Sequence, residues 1–151
     1  MEEEQLLKSG ERINQLFSTD IKIIQNREVF SYSVDSVLLS RFPRFPKKGL
    51  IVDFCAGNGA VGLFASTRTQ AQILAVEIQE RLADMAERSV RLNGLEEQMQ
   101  VICDDLKNMP AHIQGSKVDM ILCNPPYFKV GPHSNLNESE HYLLARHEIA
   151  T

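Results

Sequence analysis

LIVDFCAGNGAVG, from Leu50 to Gly62, runs from a continuous apolar segment into three glycines. An unbroken apolar run of this length suits a strand covered on both faces, as in a parallel sheet. The glycines allow a tight turn and let backbone N–H groups approach a ligand closely. VGLFAST then reads as a helix. The alternation repeats downstream. QILAVEI is a second buried strand, and Gln79 to Asn93 is an amphipathic helix with Leu82, Met85, Ala86, Ser89 and Val90 on one face. Gly94 follows as its C-terminal cap. MQVICDDL is a third strand and VDMILCN a fourth, also buried. This order predicts an α/β fold with a doubly wound, Rossmann-like, mainly parallel sheet. Such sheets bind ligands beyond the carboxyl ends of their strands. The notable polar residues fall at those ends: Asp53 to Gly59, Glu77, Asp104-Asp105 and Asn124 to Phe128.

Working outward, residues 1–48 read as a small N-terminal layer and residues 49–151 as the core domain. ERINQLF suits a helical turn, and IKIIQNREVF a hairpin reversing around Gln25-Asn26-Arg27. SYSVDSVLLSRF is helical, with Ser33 as cap and Val34, Val37, Leu38 and Phe42 at helical spacing. RFPRFPKKG breaks that pattern and forms a basic connection. Its Arg41, Arg44, Lys47 and Lys48, interleaved with Phe42 and Phe45, suit either RNA phosphates or a solvated loop. The tail is polar and then helical. The chain ends soon after the fourth strand, which would leave an apolar sheet edge exposed. The expectation is a fragment lacking the C-terminal part of the fold.

Composition narrows the function classes. The chain has 151 residues, 43% hydrophobic and 24% charged, enough for one core. A net charge of -4 gives no global basic field, so a nucleic acid would meet a local patch. Cys55, Cys103 and Cys123 lie in or beside strand-like runs without a CxxC pair, as expected of buried residues in a reducing cytoplasm. No apolar stretch approaches ~18 residues, and the N-terminus is acidic, so neither a membrane helix nor a signal peptide is expected. His112, His133, His141 and His147 show no metal-ligand spacing, so no metal is expected.

Gly57-Asn58-Gly59-Ala60-Val61-Gly62 is a literal GxGxxG, and Glu77 ends the next strand twenty residues after Gly57. A carboxylate there can accept from two ribose hydroxyls. The pair fits a dinucleotide or S-adenosyl-L-methionine. Asp53 favours the second, because a carboxylate repels a diphosphate and attracts the methionine ammonium. Asp53 can equally cap its own loop's N–H groups. At the third strand's end Asp105, rather than Asp104, can accept from an adenine amine, with the Leu106 N–H meeting the ring. Both aspartates can instead cap the following turn.

In CNPPYF two prolines stop the last strand, with an amide before them and rings after them. Together, DFCAGNGAVG, AVEI, CDDL and NPPY resemble the class I S-adenosylmethionine-dependent methyltransferases. NPPY resembles the amino-methyltransferase group, which acts on exocyclic adenine or cytosine amines or a glutamine amide. GERINQLF, FSYSVDSVLLSRF and ARHE are similar to the bacterial tRNA(Val) adenine-N6 methyltransferase family. The resemblance, which covers the chain from about Phe30 to Tyr127, implies a cofactor set of Asp53, Gly57, Gly59, Glu77, Asp105, Leu106 and Asn124. It implies a catalytic set of Asn124, Pro125, Pro126 and Tyr127, with tRNA as partner. Tyr127 would stack on the target base; Phe128 assists or plugs the core. Tyr32 to Asp35 covers the cofactor's methionine end or caps a helix. The alternatives are a protein glutamine methyltransferase, a nicotinamide-dependent oxidoreductase and a non-catalytic binding module.

Overall fold

The computed structural model describes residues 3–28 and 33–125, opening with a 3-10 turn at Glu3–Leu6. ERINQ is a strand, not a helical turn. β1 (Glu11–Gln15) pairs antiparallel with β2 (Lys22–Asn26), setting Ile13 opposite Ile24. The chain reverses at residues 16–21, where Ser18, Thr19 and Asp20 provide turn chemistry, and not at Gln25-Asn26-Arg27. There the Leu16 N–H donates to Ile21 O, the Thr19 hydroxyl donates to Leu16 O, and Ser18 takes φ 57°.

The helix expected next is α1 (Val34–Arg41), with Ser33 at its N-cap position but making no side-chain cap bond. Of its apolar spacing only Val37 packs against the core. Val34, Leu38 and Phe42 are exposed, while Ser36 and Ser40 are buried. Small side chains on the inner face suit the approach of α1 to α2 (Ala60–Ser66). The Ser40 hydroxyl satisfies itself on Val37 O.

Four parallel strands make the main sheet. They are β3 (Leu50–Phe54), β4 (Gln72–Glu77), β5 (Met99–Cys103) and β6 (Met120–Cys123), in the order β5-β4-β3-β6. The chain winds from β3 through α2 to β4, and through α3 (Glu80–Leu92) to β5. A 3-10 turn (Leu106–Asn108) and the short α4 (Met109–His112) then return it across the sheet to lay β6 beside β3. The direction of winding reverses between β3 and β6, and a crevice at that switch point is where such sheets bind ligands. β3 and β4 are buried. β5 and β6 lie at the edges of the described sheet, so Ile121 of the expected buried fourth strand is exposed. For the same reason Cys103 and Cys123 are exposed, and Cys55, in the loop after the central β3, is half-buried, against the expectation of three core cysteines.

The N-terminal layer shares the sheet's core. Leu16 and Ile23 pack with Ile51, Leu63, Phe64, Ile73 and Met99. Val52, Leu74, Val76 and Met109 form a separate cluster. α3 buries the five residues its periodicity predicts, and Leu82 and Met85 meet Ile24 of β2. Its end is closed by the Gly94 N–H on Arg91 O and the Leu95 N–H on Val90 O, with Gly94 at φ 65°. The buried Arg88 reaches Glu11 with both terminal nitrogens, at 2.5 and 2.7 Å, and Asp84 at 2.8 Å, clamping the hairpin to α3.

Gly59 takes φ 87°, and a Cβ there would stand 3.1 Å from the Ala86 methyl. Both features exclude a side chain where the loop meets α3. Gly59→Ala is therefore expected to lower unfolding free energy by about 1–3 kcal/mol, read from the midpoint of a urea titration.

Candidate active site

The loop after β3 is wound through left-handed conformations at Cys55 (φ 56°), Gly57 (φ 58°) and Gly59 (φ 87°). A non-glycine at the first of these is unusual and strained. The loop is held from β4. The Ala56 N–H donates to Val76 O at 2.9 Å, and the Gly57 N–H donates to Glu77 Oε2 at 2.7 Å. Glu77 Oε1 accepts the Gln79 N–H at 2.9 Å, so one buried carboxylate joins the loops after β3 and β4. Burial pushes the Glu77 carboxyl up, opposed by the N–H groups of Gln79, Gly57 and Ile78. A carboxylate has about four acceptor sites, so these N–H groups leave one for a ligand hydroxyl.

Asp53 has the opposite character. It is 1% exposed, and neither carboxylate oxygen has a hydrogen-bond partner. Burial, then the charge of Glu77, pushes it up to about 8. The Gly62 N–H opposes this only from outside hydrogen-bonding geometry. Capping of its own loop, one of the two roles open to Asp53 from the sequence, is performed by Glu77 instead. Asn58, which the sequence reading passed over, is fully buried. Its Nδ2 donates to Ile24 O at 3.3 Å, tying the loop to the hairpin, and its Oδ1 has no partner. A short amide between two glycines was the available signal.

Past β5, both aspartates cap. Asp104 Oδ1 accepts the Asp105 N–H and Asn108 Nδ2, each at 2.7 Å, and Oδ2 pairs with His112 Nε2 at 2.7 Å. His112 first, then Asn108 and the Asp105 N–H, hold the Asp104 carboxyl down at about 2. Asp105 Oδ1 accepts the Lys107 N–H at 2.9 Å, and Leu106 opens the 3-10 turn. Asp104 thus has both oxygens engaged locally, whereas Asp105 commits one. The role of His112 was not readable from its isolated place in the sequence.

β6 brings Asn124 to the same end. Cys123 is in register with Phe54, so Asn124 follows level with Cys55 of the glycine loop. Burial first, then the neighbouring Cys123, pushes the Cys55 thiol up to about 12, leaving it neutral. Asn124 is half-buried and Pro125 exposed. Pro126, Tyr127, Phe128, Tyr32 and the ARHE segment lie outside the described residues. The switch point therefore gathers a strained N–H-bearing loop, two buried carboxylates and an amide. Among the described residues no His, Cys, Asp and Glu group could hold a metal ion, and no helix is long and apolar enough to cross a membrane.

The methyltransferase small domain family matches residues 20–145. The chain belongs to that family. Among the similar relatives of this methyltransferase domain is the tRNA1(Val) (adenine(37)-N6)-methyltransferase of Shewanella halifaxensis. It is 34% identical over 103 residues, covering 68% of this chain and 42% of the relative. The protein of the same name from Shewanella sp. strain MR-4 is 33% identical over 117 residues, covering 76% and 48%. The domain thus spans about half the length of the curated relatives it matches. A tRNA methyltransferase from M. jannaschii superposes with a TM-score of 0.61 at 18% identity, over 79% of this chain and 36% of that one. A SAM-dependent methyltransferase from Agrobacterium tumefaciens gives 0.59 at 20% identity, over 80% and 41%. These structures share the fold, as the expected doubly wound sheet requires.

Proposed function

We propose that this methyltransferase domain transfers a methyl group from S-adenosyl-L-methionine to the exocyclic N6 amine of an adenine in tRNA, in the cytoplasm. The observation that carries the reading is the placement of Asn124 level with the glycine loop, two residues beyond the register position of the unpartnered Asp53 carboxylate. The donor set fits a cationic adenosine derivative. Asp53, when ionised, would repel a diphosphate at the glycine loop, which disfavours a nicotinamide dinucleotide. In this reading Asp53 attracts the ammonium, the backbone at Gly57 and Gly59 lies against the cofactor, and Glu77 takes a ribose hydroxyl. Asp105 and the Leu106 N–H meet the adenine. Residues 49–151 form the catalytic core and residues 1–48 its N-terminal layer.

When bound, the cofactor supplies an electrophilic methyl group on a sulfonium. The chain's task is to aim a poor nucleophile. An adenine amine has its lone pair delocalised into the ring. Asn124 Oδ1 and the Pro125 carbonyl each accept one N–H, which holds the nitrogen toward tetrahedral geometry with its lone pair free. Such positioning provides a large share of a barrier reduction, and the same acceptors stabilise the positive charge that develops on nitrogen. Pro126 removes a competing N–H, and Tyr127 stacks on the extruded base. Asn124 also borders the cofactor.

The test is transfer of labelled methyl from S-adenosyl-L-methionine to bulk tRNA by the full-length protein. Label released by ribonuclease and recovered as N6-methyladenosine is the expected result. Label that survives ribonuclease and remains on protein would assign the same chemistry to a glutamine amide.

A further inference from the structure

The opposite end of the sheet carries a feature that methyl transfer does not use. Residues 41–48 read RFPRFPKK and hold four of the chain's sixteen Lys and Arg residues. Arg41, Arg44, Lys47 and Lys48 are exposed. The segment is fastened rather than loose. Arg68, just past α2, donates to Ser40 O at 3.1 Å and Arg41 O at 2.5 Å and lies 5.3 Å from the Phe45 ring centre. The Thr69 hydroxyl donates to Pro46 O. Arg41 lies 5.4 Å from the ring centre of Phe17 in the hairpin turn. Among the described residues, neither Arg68 nor any of the four exposed cations pairs with a carboxylate. Phe42, in their midst, is 94% exposed. Asp20, in the same turn as Phe17, offsets only part of this field. A chain of net charge -4 thus holds a fixed group of unpaired cations around a bare aromatic ring. Like charges repel, so their grouping weakens the fold unless an anion meets them.

The geometry points to a second RNA contact: this segment binds the phosphate backbone of the RNA substrate, with a base or ribose resting on Phe42. The inference rests on the tRNA reading above and extends it to a surface remote from the reacting amine. The five residues of β3 separate the two ends of the sheet by about 16 Å, at ~3.3 Å per residue. A nucleic-acid strand advances ~3.4 Å per phosphate along its helix, so the contact falls about five nucleotide steps from the target adenine. A large folded RNA spans that distance; a short oligonucleotide does not. Cations track phosphates, while an aromatic face accepts any base, so the contact adds affinity without reading sequence.

The experiment compares the full-length protein with its Arg44→Glu/Lys47→Glu/Lys48→Glu variant on tRNA and on a seven-nucleotide RNA with the same target adenine at its centre, only three steps from either end. None of the three side chains has an ion-pair partner in the described structure, so the thermal unfolding midpoint should not fall, and relief of their mutual repulsion should raise it slightly. The expected result on tRNA is a KM raised at least about tenfold with kcat unchanged. The slope of log KM against log salt falls by about two to three. On the short RNA the two enzymes match. Phe42→Ala raises KM for tRNA about fivefold and leaves the salt slope as it was. Unchanged KM and slope for the triple variant on tRNA, with wild-type methylation intact, overturn this contact alone and leave the cations to an acidic protein. An equal effect on the short RNA also overturns it. A wild-type protein that methylates no tRNA defeats the functional reading and this contact with it.

Discussion

Asn124→Ala is expected to lower kcat for methyl transfer to tRNA by about 10²–10³-fold, while KM for tRNA and Kd for S-adenosyl-L-methionine stay within a few-fold. The reasoning is differential. The Asn124 oxygen gains most when positive charge develops on the attacking nitrogen, so its loss should appear in the chemical step rather than in ground-state binding. Asn124 lies at the end of an edge strand of the described sheet and is half-buried, so truncation leaves the central strands intact. Asn124→Asp keeps an acceptor oxygen and should recover part of the rate. The readout is single-turnover transfer of labelled methyl. An alanine variant retaining more than about a third of the wild-type rate would remove Asn124 from the mechanism and leave CNPPYF as a strand terminator.

The core could be read because its signals are redundant. β3 and β4 are buried, so they announce themselves as unbroken apolar runs, and α3 carries both a full apolar stripe and a terminal glycine. The N-terminal layer has no such redundancy. β1 is half-exposed along its length, and Arg12 and Asn14 flank a single isoleucine, so ERINQ offers too little alternation to mark a strand. α1 misleads for another reason. Its helical period is real, but a helix packed through Ser36 and Ser40 leaves Val34, Leu38 and Phe42 on the outside. Apolar spacing finds the helix; which face is buried depends on what packs against it.

At the site, position was legible and division of labour was not. Parallel strands share one carboxyl end, so the sequence alone groups Asp53, Glu77 and Asn124 there. Which carboxylate would hold the glycine loop depended on a hydrogen bond across twenty residues of sequence, from Gly57 N–H to Glu77. Residue types alone allow either acid that role. The coupling of Asp104 to His112 likewise exists only once the 3-10 turn and α4 fold the chain back.

That division gives Asp53 a direct hold on stability. Its carboxyl titrates near 3.8 in an unfolded chain and at about 8 in the fold. The fold therefore retains a proton that the unfolded chain releases between those values. Stability from this group is complete below about pH 4, falls as pH rises, and stops falling above about pH 8. Asp53→Asn removes the liability. Its unfolding free energy from urea titration should exceed that of wild type at pH 8.5, by several kcal/mol at ~1.4 kcal/mol per pKa unit, and converge with it near pH 4. Glu77, also raised by burial, leaves a slope of the same sign in the variant. The same substitution should weaken S-adenosyl-L-methionine about 10- to 100-fold, the range for losing a hydrogen bond to a charged group. A cation beside Asp53 lowers its pKa, so at pH 7 the wild type should release a proton on binding. Its calorimetric enthalpy would then vary with buffer, and that of Asp53→Asn would vary far less. Equal pH slopes in the two proteins would show that the unpartnered carboxylate does not govern stability. Equal affinities would show that it does not recruit the ligand. A gain in stability joined to a loss of affinity is the signature of a site whose buried charge is balanced only by what it binds.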